Sequence, residues 1–341
     1  MKLEKLCIDK QANVILGAGA SRGASCFETM WAQSPLDADF FDQVDRLKGL
    51  PACNELHDIA EFARDEFGAS DGLLMEPFFT QLESLNEFYS ELKIDRGPRV
   101  RAYEKRLEKF PTYLAALFRG LCSIAQKNDL ACHYHDALCR SLRTNDAIIS
   151  FNYDCIVDAA LKKSSGKSWD ASSGYGVGVE NGADEWHDHS GRGAAAKHPI
   201  KLLKVHGSLN WIRDPGKDTI SLRKDPYEKK NRTANEVVPP IWNKRVSSDA
   251  VLGKIWKGAR TALQTGPVLV VIGYSVPDTD LLSQVLLRVA TSESGKTLSH
   301  LISVNLDVRA HRKIRNVLAQ ALTSKSTIIE LGSWKEFCAL L

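Results

Sequence analysis

The chain has 341 residues, of which 43% are hydrophobic and 26% are charged. This is the composition of a globular protein, and the length allows a large core and about two domain-sized units. The net charge is only +3, so the chain has no general surplus of positive charge for nucleic acid, although a local basic patch is compatible with it.

The cysteines and the apolar runs bear on location. Eight cysteines are present and none forms a Cys-x-x-Cys pair, so we expect a reduced, cytosolic protein with mostly buried thiols. The first segment, MKLEKLCIDKQANVILG, lacks the long apolar run of a signal peptide. No stretch of eighteen apolar residues occurs, so we predict a cytoplasmic protein without a transmembrane helix.

Six short runs rich in β-branched and apolar residues predict strands. Most of them are nearly continuous in apolar residues rather than alternating, which is typical of parallel strands that helices cover on both faces. In chain order the runs are Asn13–Gly17, Ala147–Phe151, Ile200–Val205, Val268–Gly273, Leu301–Leu306 and Thr327–Leu331.

Helical patterns alternate with the last three of these runs. Residues 249–264 precede the fourth run, residues 278–290 follow it with Asp278 as the N-cap, and residues 308–322 join the fifth run to the sixth. Alternating strands and helices predict an α/β fold. We therefore expect a Rossmann-like, doubly wound parallel sheet of about six strands.

Two segments interrupt that order. Residues 31–143 hold no convincing strand but several amphipathic helical patterns, so we predict a helical subdomain inserted into the sheet domain. Residues 172–199 are rich in Gly, Ser and Asp and predict a long flexible loop. The sheet domain itself then comprises residues 1–30, 144–171 and 200–341.

Polar residues and glycines follow five of the six predicted strands. Open parallel sheets bind ligands beyond the carboxyl ends of their strands, so this coincidence predicts a site at that edge. The stretches concerned are GAGASRG (17–23), Asn152 to Asp154, HGSLNW (206–211), GYSVPDTD (273–280) and NLD (305–307).

Each stretch taken alone also has a structural explanation. The spacing of GAGAS departs from G-x-G-x-x-G, and a plain tight turn explains it about as well as a diphosphate site does. Asp154 fits a helix cap, but Asn152 is harder to explain in that way. His206 could be a turn histidine, and the polar residues after the later strands could be caps or strand ends.

Together the five motifs resemble the sirtuin superfamily of NAD-consuming, Sir2-like proteins. GAGAS looks like the family's phosphate loop, and SFNYD (150–154) stands where sirtuins carry Thr-Gln-Asn-Ile-Asp. VHGSLNW (205–211) resembles the catalytic His-Gly, GYSVPDTD the loop that contacts ribose, and SVNLD (303–307) the strand end that holds the adenosine ribose.

The chain also departs from the deacylase pattern. The stretch after GAGAS is CFETM (26–30) rather than a Pro-Asp-Phe-Arg run, and no cysteine lies between Cys155 and Cys338 for a four-cysteine zinc module. No bound zinc is therefore expected. What remains resembles the divergent prokaryotic Sir2-like proteins, which hydrolyse NAD+ and commonly act in anti-phage defence.

The resemblance implies a role for each motif. His206, Asn152 and Asp154 would be catalytic, with His206 accepting a proton, Asn152 positioning water and Asp154 binding the nicotinamide amide. The remaining site residues would bind NAD+, the substrate. They are Gly17, Ala18, Gly19, Ala20 and Ser21 at the diphosphate, together with Phe151, Gly273, Tyr274, Ser275, Asp278, Asn305 and Asp307.

Two further clusters have metal-like spacing. Cys132, His135 and Cys139 lie on one predicted helix, but without a fourth ligand we interpret them as buried thiols beside a surface histidine. DEWHDH (184–189) is interpreted as a solvated polar loop rather than as a weak site for a divalent ion.

Several functions remain open. The leading hypothesis is an NAD+ glycohydrolase that acts by NAD+ depletion, and the rivals are a protein deacylase or ADP-ribosyltransferase, a sensor of NAD+ or ADP-ribose without turnover, and an assembly subunit. An NAD-depleting enzyme must be silent at rest. We therefore expect control by homo-oligomerisation or by a partner such as a HerA-type ATPase or an Argonaute-like protein, with residues 31–143 as the interface.

Overall fold

The computed structural model describes the chain except residues 7, 29, 32, 48, 51–52, 68–73, 93–96, 128–131, 187–198, 215, 228–248, 279, 294 and 296. Its strands are β1 (Lys2–Leu3), β2 (Ile8–Asp9), β3 (Ala12–Leu16), β4 (Ala147–Ser150), β5 (Gly178–Val179), β6 (Lys201–Lys204), β7 (Trp211–Arg213), β8 (Thr219–Leu222), β9 (Val268–Ile272), β10 (His300–Val304) and β11 (Thr327–Leu331).

Helices cover the sheet and fill the segment after β3. They are α1 (Ala18–Arg22), α2 (Phe40–Arg46), α3 (Cys53–Phe67), α4 (Met75–Glu91), α5 (Pro98–Lys127), α6 (His133–Ser141), α7 (Ile156–Ser164), α8 (Ala171–Gly174), α9 (Ala250–Thr265), α10 (Leu281–Glu293), α11 (Val308–Val317) and α12 (Trp334–Cys338). Among the described residues, no helix is both long enough and apolar enough to cross a membrane.

The central sheet has six parallel strands in the order β11-β10-β9-β3-β4-β6. All six predicted strands are present, and the predicted doubly wound α/β fold is confirmed. Every residue of β3 and β9 is buried, which explains why their sequences are continuous apolar runs. The strand order reverses between β3 and β9, and in open α/β sheets that point is where ligands bind.

The register brings the carboxyl ends of the strands to one edge. Leu16 at the end of β3 lies opposite Ser150 of β4 and Ile272 of β9. In the same way, Lys204 of β6 lies opposite Ser150. The residues that follow these strands therefore emerge side by side.

All of the regular secondary structure that the structure describes between residues 31 and 143 is helical. Phenylalanines of α2, α4 and α5 pack edge to face and face to face, and they belong to the same hydrophobic cluster as the sheet. The division of the chain into a sheet domain and an inserted subdomain at the stated boundaries stays a prediction.

Residues 172–186 differ from the flexible loop that was predicted for 172–199. They contain most of α8, strand β5 and a 3₁₀ turn over Ala183–Trp186, and β5 joins β7 and β8 in a small second sheet. Two buried aromatic residues anchor the segment: Tyr175 donates a hydrogen bond to Asp158 (2.7 Å) and Trp186 donates one to the Arg223 carbonyl (2.9 Å). Residues 187–198 lie outside the described part.

Candidate functional site

A cavity of about 680 Å³ opens at the carboxyl edge of the parallel sheet. All of the predicted site residues line it except Gly17 and Ala20, which are buried beside it. The residues that were predicted and that line the cavity are Ala18, Gly19, Ser21, Phe151, Asn152, Asp154, His206, Gly273, Tyr274, Ser275, Asp278, Asn305 and Asp307.

The turn between β3 and α1 packs directly against the loop after β9. A Cβ atom on Gly17 would lie 2.5 Å from the Tyr274 Cα, and one on Gly19 would lie 2.8 Å from the Gly273 Cα. The Gly19 N–H donates to the Gly273 carbonyl (2.8 Å), and the Ala20 N–H donates to the Gly17 carbonyl (2.8 Å). The glycines are therefore required by contact between two backbones, and two of the N–H groups expected at a diphosphate already have protein acceptors.

The loop after β9 has an unusual backbone. Gly273 has φ +61°, and a Cβ atom there would lie 2.1 Å from the Ala20 nitrogen. Val276 has φ +53°, which is an outlier for a β-branched residue and costs about 1–3 kcal/mol. The packing around the buried Val276 side chain holds this strained loop against the cavity.

The Asn152 side chain is held by hydrogen bonds to Gly17, which precedes α1, and to Ser21, which lies in α1. Its Nδ2 group donates to the Gly17 carbonyl (2.9 Å) and to the Ser21 hydroxyl (2.8 Å). The Asn152 Oδ1 atom has no hydrogen-bond partner in the described part of the chain. Because an amide oxygen accepts hydrogen bonds, the side chain is oriented and still has acceptor capacity.

Asp154 is buried and is bonded within the protein at both carboxylate oxygens. One oxygen accepts the Ser21 hydroxyl (2.5 Å), and the other accepts the Ile156 N–H (3.0 Å) at the start of α7. The capping explanation thus holds for one oxygen. The Ser21 bond links Asp154 to Asn152, so the three side chains form one hydrogen-bonded unit.

His206 lies in a wall of aromatic rings. The Phe151 ring meets it edge to face at 5.2 Å between centroids and stacks on Tyr274 at 4.5 Å. Tyr153 lies 6.2 Å from the His206 ring. Burial, with Glu76 and Asp280 nearby, raises the pKa of Tyr153, and burial beside Asp280 raises the pKa of Tyr274. Both phenols are therefore neutral and can donate hydrogen bonds.

Buried charged and polar side chains form a hydrogen-bonded network beneath this aromatic wall. The Lys204 ammonium donates to the Asp154 carbonyl (2.5 Å) and pairs with Asp158 (3.0 Å), and both charged side chains are fully buried. Asp158 also accepts from Tyr175 (2.7 Å), and the Tyr175 hydroxyl accepts from Asn210 (2.9 Å). The network ties the ends of β4 and β6 together beneath Asp154.

The remaining predicted residues lie toward the outside of the cavity. Asn305 donates to the Tyr274 carbonyl (3.4 Å), and Asp307 caps α11 by accepting the Arg309 N–H (2.9 Å). Asp278, expected to be the N-cap of a helix, is instead exposed and pairs with Lys313 (2.9 Å). The helix after it, α10, begins at Leu281.

The helical segment supplies the opposite wall, which was not predicted from the sequence. Asp37 accepts the Glu76 N–H (2.8 Å), which fixes the start of α4 beside the cavity. Phe118 of α5 packs on Tyr153 at 5.7 Å between centroids. The wall is formed by Ser34, Pro35, Leu36, Asp37, Ala38, Phe40, Leu74, Met75, Glu76 and Phe118. Pro277, Asp280, Arg309, Ala310 and Lys313 also line the cavity and were also missed.

Two clusters have metal-like spacing in the sequence. Among the described residues, no group of three or more His, Cys, Asp or Glu side chains could hold a metal ion. The prediction that His135 lies on the surface is wrong. Its side chain is buried, and its ring centroid lies 4.9 Å from that of Trp334. In DEWHDH, Trp186 is buried and residues 187–189 lie outside the described part.

A family model described as a SIR2-like domain matches residues 146–329. The match covers more than half of the chain, which therefore belongs to the SIR2-like family, as the five motifs suggested. SIR2-like domains bind NAD+, and membership indicates an NAD-related activity. No curated protein matches the chain.

Proposed function

We propose that this SIR2-like chain is an NAD+ glycohydrolase, which cleaves NAD+ to nicotinamide and ADP-ribose. One observation carries the proposal: Asn152 and His206 line the same cavity, beyond the carboxyl ends of the parallel strands and next to the point where the strand order reverses. The volume of about 680 Å³ is in the range of small-molecule sites.

The chemistry demands little from the protein beyond positioning. Nicotinamide leaves NAD+ as a neutral molecule from a cationic precursor, so the bond needs no strong acid, and the transition state resembles an oxocarbenium ion. The site must hold the ribose, exclude bulk water and place one water molecule against the anomeric carbon.

Asn152 suits the placement of water. Its Nδ2 group is held by Gly17 and Ser21, so Oδ1 has a defined direction and can accept a hydrogen bond from the attacking water. His206 suits proton acceptance from that water or from a ribose hydroxyl, since the unprotonated nitrogen of a neutral imidazole is a base. The stacked rings of Phe151 and Tyr274 offer a flat apolar surface beside these groups.

Asp154 has a narrower role in this proposal than the resemblance implies. Both of its oxygens accept hydrogen bonds from the protein, so we assign it first to holding Ser21 and, through Ser21, Asn152. A carboxylate oxygen has capacity for a second hydrogen bond, so contact with the nicotinamide amide is compatible with this role.

The biological role that we propose is NAD+ depletion in anti-phage defence, under the control of homo-oligomerisation or of a separately encoded partner such as a HerA-type ATPase. It is supported by the resemblance to prokaryotic Sir2-like proteins and by family membership. Protein deacylation is less well supported, because no cysteine between Cys155 and Cys338 is present to build the zinc module of deacylases.

The test is NAD+ turnover, with nicotinamide and ADP-ribose separated by chromatography. The wild type should release both products in equal amounts, and His206→Ala should lose the activity at least about a hundredfold. His300→Ala is the matched control. His300 is the first residue of β10 and lies at the amino ends of the parallel strands, away from the cavity, so this variant should have normal turnover.

The alternative is a sensor that binds NAD+ without turnover. It would be favoured if the wild type binds NAD+ but releases no nicotinamide, both alone and in lysate from phage-challenged cells that express it. Equal loss of activity in His206→Ala and His300→Ala would contradict the placement of the site.

A further inference from the structure

A second cluster of reactive side chains lies outside the cavity, next to α1. Cys26 belongs to the 3₁₀ turn Ser25–Phe27 that follows α1, Cys132 immediately precedes α6, and His135 is on the first turn of α6. None of the three lines the cavity, and the proposed hydrolysis does not use them.

Two polar groups contact the sulfur of Cys132, and Cys26 lies next to one of them in the chain. The His135 Nδ1 atom lies 3.0 Å from it, the Ser25 N–H donates to it at 3.3 Å, and Cys26 follows Ser25 directly in the chain. Cys132 is 2% exposed, whereas Cys26 is partly exposed, and both are free thiols. Convergence of donors on one sulfur stabilises a thiolate there.

The protonation states of the cluster follow from these contacts. The interaction with Cys26 and the charge of His135 lower the pKa of Cys132, although burial opposes this. Burial lowers the pKa of His135, but the interactions with Cys132 together with the charges of Asp154 and Asp136 outweigh it and raise that pKa. The interaction with Cys132, together with burial, raises the pKa of Cys26. These shifts favour a thiolate at Cys132 and a neutral thiol at Cys26.

The two cysteines are held together by other contacts between their segments. The His133 N–H donates to the Ser25 hydroxyl (3.0 Å), and the Tyr134 hydroxyl donates to Glu28 (2.9 Å). Cys132 and the partly buried Cys26 also belong to one small hydrophobic cluster around Phe27. A stabilised thiolate with a neighbouring thiol is the arrangement that reacts with peroxides and then resolves to a disulfide.

We propose that Cys26 and Cys132 form an oxidisable dithiol that hydrogen peroxide converts to a disulfide. The Cys132 thiolate attacks one peroxide oxygen, an S–O bond forms, the O–O bond breaks, and the leaving hydroxide takes a proton to become water. The Cys26 sulfur then attacks the Cys132 sulfenic acid, an S–S bond forms, the S–O bond breaks, and hydroxide leaves with the Cys26 proton as a second water. Sulfur loses two electrons, and the peroxide gains them.

The dithiol is close to the part of the chain that supports the cavity. Cys26 follows α1, whose Ser21 binds both Asn152 and Asp154. The Trp334 ring that covers His135 also donates a hydrogen bond to the Ala20 carbonyl (3.2 Å). The inference does not depend on NAD+ cleavage, since the disulfide would form whether or not the cavity is catalytic.

The test is peptide mapping of the folded protein after treatment with hydrogen peroxide. Remaining thiols are alkylated, and the protein is digested with trypsin without reduction. We expect peptide 23–46, which contains Cys26, to be linked to peptide 128–140, which contains Cys132, and the link to disappear on reduction. Peptide 128–140 also contains Cys139, so the same experiment on Cys139→Ala assigns the linked sulfur.

Two variants follow the separate steps. Cys26→Ser should accumulate a Cys132 sulfenic acid, which a 1,3-dione traps as a stable thioether. His135→Gln should slow formation of the disulfide by about tenfold, because less of Cys132 is thiolate. Peptides 23–46 and 128–140 that stay unlinked in the wild type, or a link from Cys132 to Cys338 instead, would overturn the proposal.

Discussion

The two walls of the cavity are built in different ways. The sheet wall consists of residues that follow aligned parallel strands, and its polar side chains are bonded to one another, as in the unit of Ser21, Asn152 and Asp154. The helical wall comes from three separate stretches of the segment between β3 and β4, and much of it is apolar. The polar side chains that could position a substrate therefore lie mainly in the sheet wall, and the helical wall mainly encloses the cavity.

This difference separates the residues that could take part in the reaction from those that give the cavity its shape. A strand register fixes the relative positions of all the residues at its edge, which suits groups that must meet a reacting centre. Helices that pack against that edge can change without moving it. We therefore expect substitutions in the sheet wall to affect turnover or stability, and substitutions in the helical wall to affect affinity.

The largest expected effect is a loss of stability when the buried ion pair of Lys204 and Asp158, beneath the sheet wall, is broken. Lys204→Met removes the only cation that the structure shows within bonding distance of the fully buried Asp158, in the part of the chain that is described. An uncompensated buried charge typically costs about 3–5 kcal/mol, so the free energy of unfolding in guanidinium chloride should fall by that amount. Lys254→Met, which breaks a surface pair with Asp218, is the control and should change it far less.

This pair also gives a pH dependence with a definite sign. Burial lowers the pKa of Lys204, but Asp158 and its neighbours outweigh that effect and raise it. A lysine whose pKa is raised on folding stabilises the protein below its unfolded pKa, and the stabilisation is lost as the pH rises through the folded value. The Lys204 contribution should therefore be constant near neutral pH and decline only in strongly alkaline solution. A decline near pH 7 would contradict this assignment.

The next largest effect is on turnover. Asn152→Ala removes the side chain that we assign to orienting water, and loss of one positioned group at a transition state typically costs about a hundredfold to a thousandfold in kcat. Asn316→Ala on the exposed face of α11 is the matched control and should retain wild-type turnover. Full activity in Asn152→Ala would remove Asn152 from the mechanism.

A smaller effect is expected in the helical wall. Phe118→Ala removes a ring that lines the cavity and packs on Tyr153. Such contacts are worth about 0.5–1.5 kcal/mol, so KM for NAD+ should rise by up to about tenfold while kcat changes little. Phe88→Ala in α4 is the control, because Phe88 is exposed and does not line the cavity. A fall in kcat with unchanged KM would show that the two walls do not divide the work as proposed.

The smallest effect is expected at the outer rim of the sheet wall. Asp278 is exposed and pairs with Lys313, although the sequence placed it among the NAD+-binding residues. Surface ion pairs contribute little, so Asp278→Asn should change kcat/KM for NAD+ by less than about threefold. A tenfold loss in steady-state kinetics would restore Asp278 to the binding residues.

The sheet wall was predictable from the sequence because its signals are local. Continuous apolar runs mark parallel strands that are buried on both faces, and the carboxyl ends of such strands share one edge, so the residues after each run are placed without further information. The register confirms this for β3, β4, β6 and β9.

The helical wall was not predictable, because its members are distant in sequence and only tertiary packing brings them together. Nothing local distinguishes Glu76 or Phe118 from other residues on amphipathic helices. The role of Gly17 was likewise hidden, since its close neighbour is the backbone of Tyr274, far along the chain. The prediction of a flexible loop over residues 172–186 relied on a composition rich in Gly and Ser. The structure differs because the buried side chains of Tyr175 and Trp186 anchor this segment.

The most direct test of the central claim, that both walls enclose one NAD+ site, is hydrogen–deuterium exchange with saturating NAD+. The His206→Ala variant is used so that NAD+ persists during labelling. We predict slower exchange in residues 150–154 and 273–280 of the sheet wall and, together with them, in residues 34–40 and 74–79 of the helical wall. Protection of only one wall, or of neither wall while NAD+ binding is measured, would contradict the account.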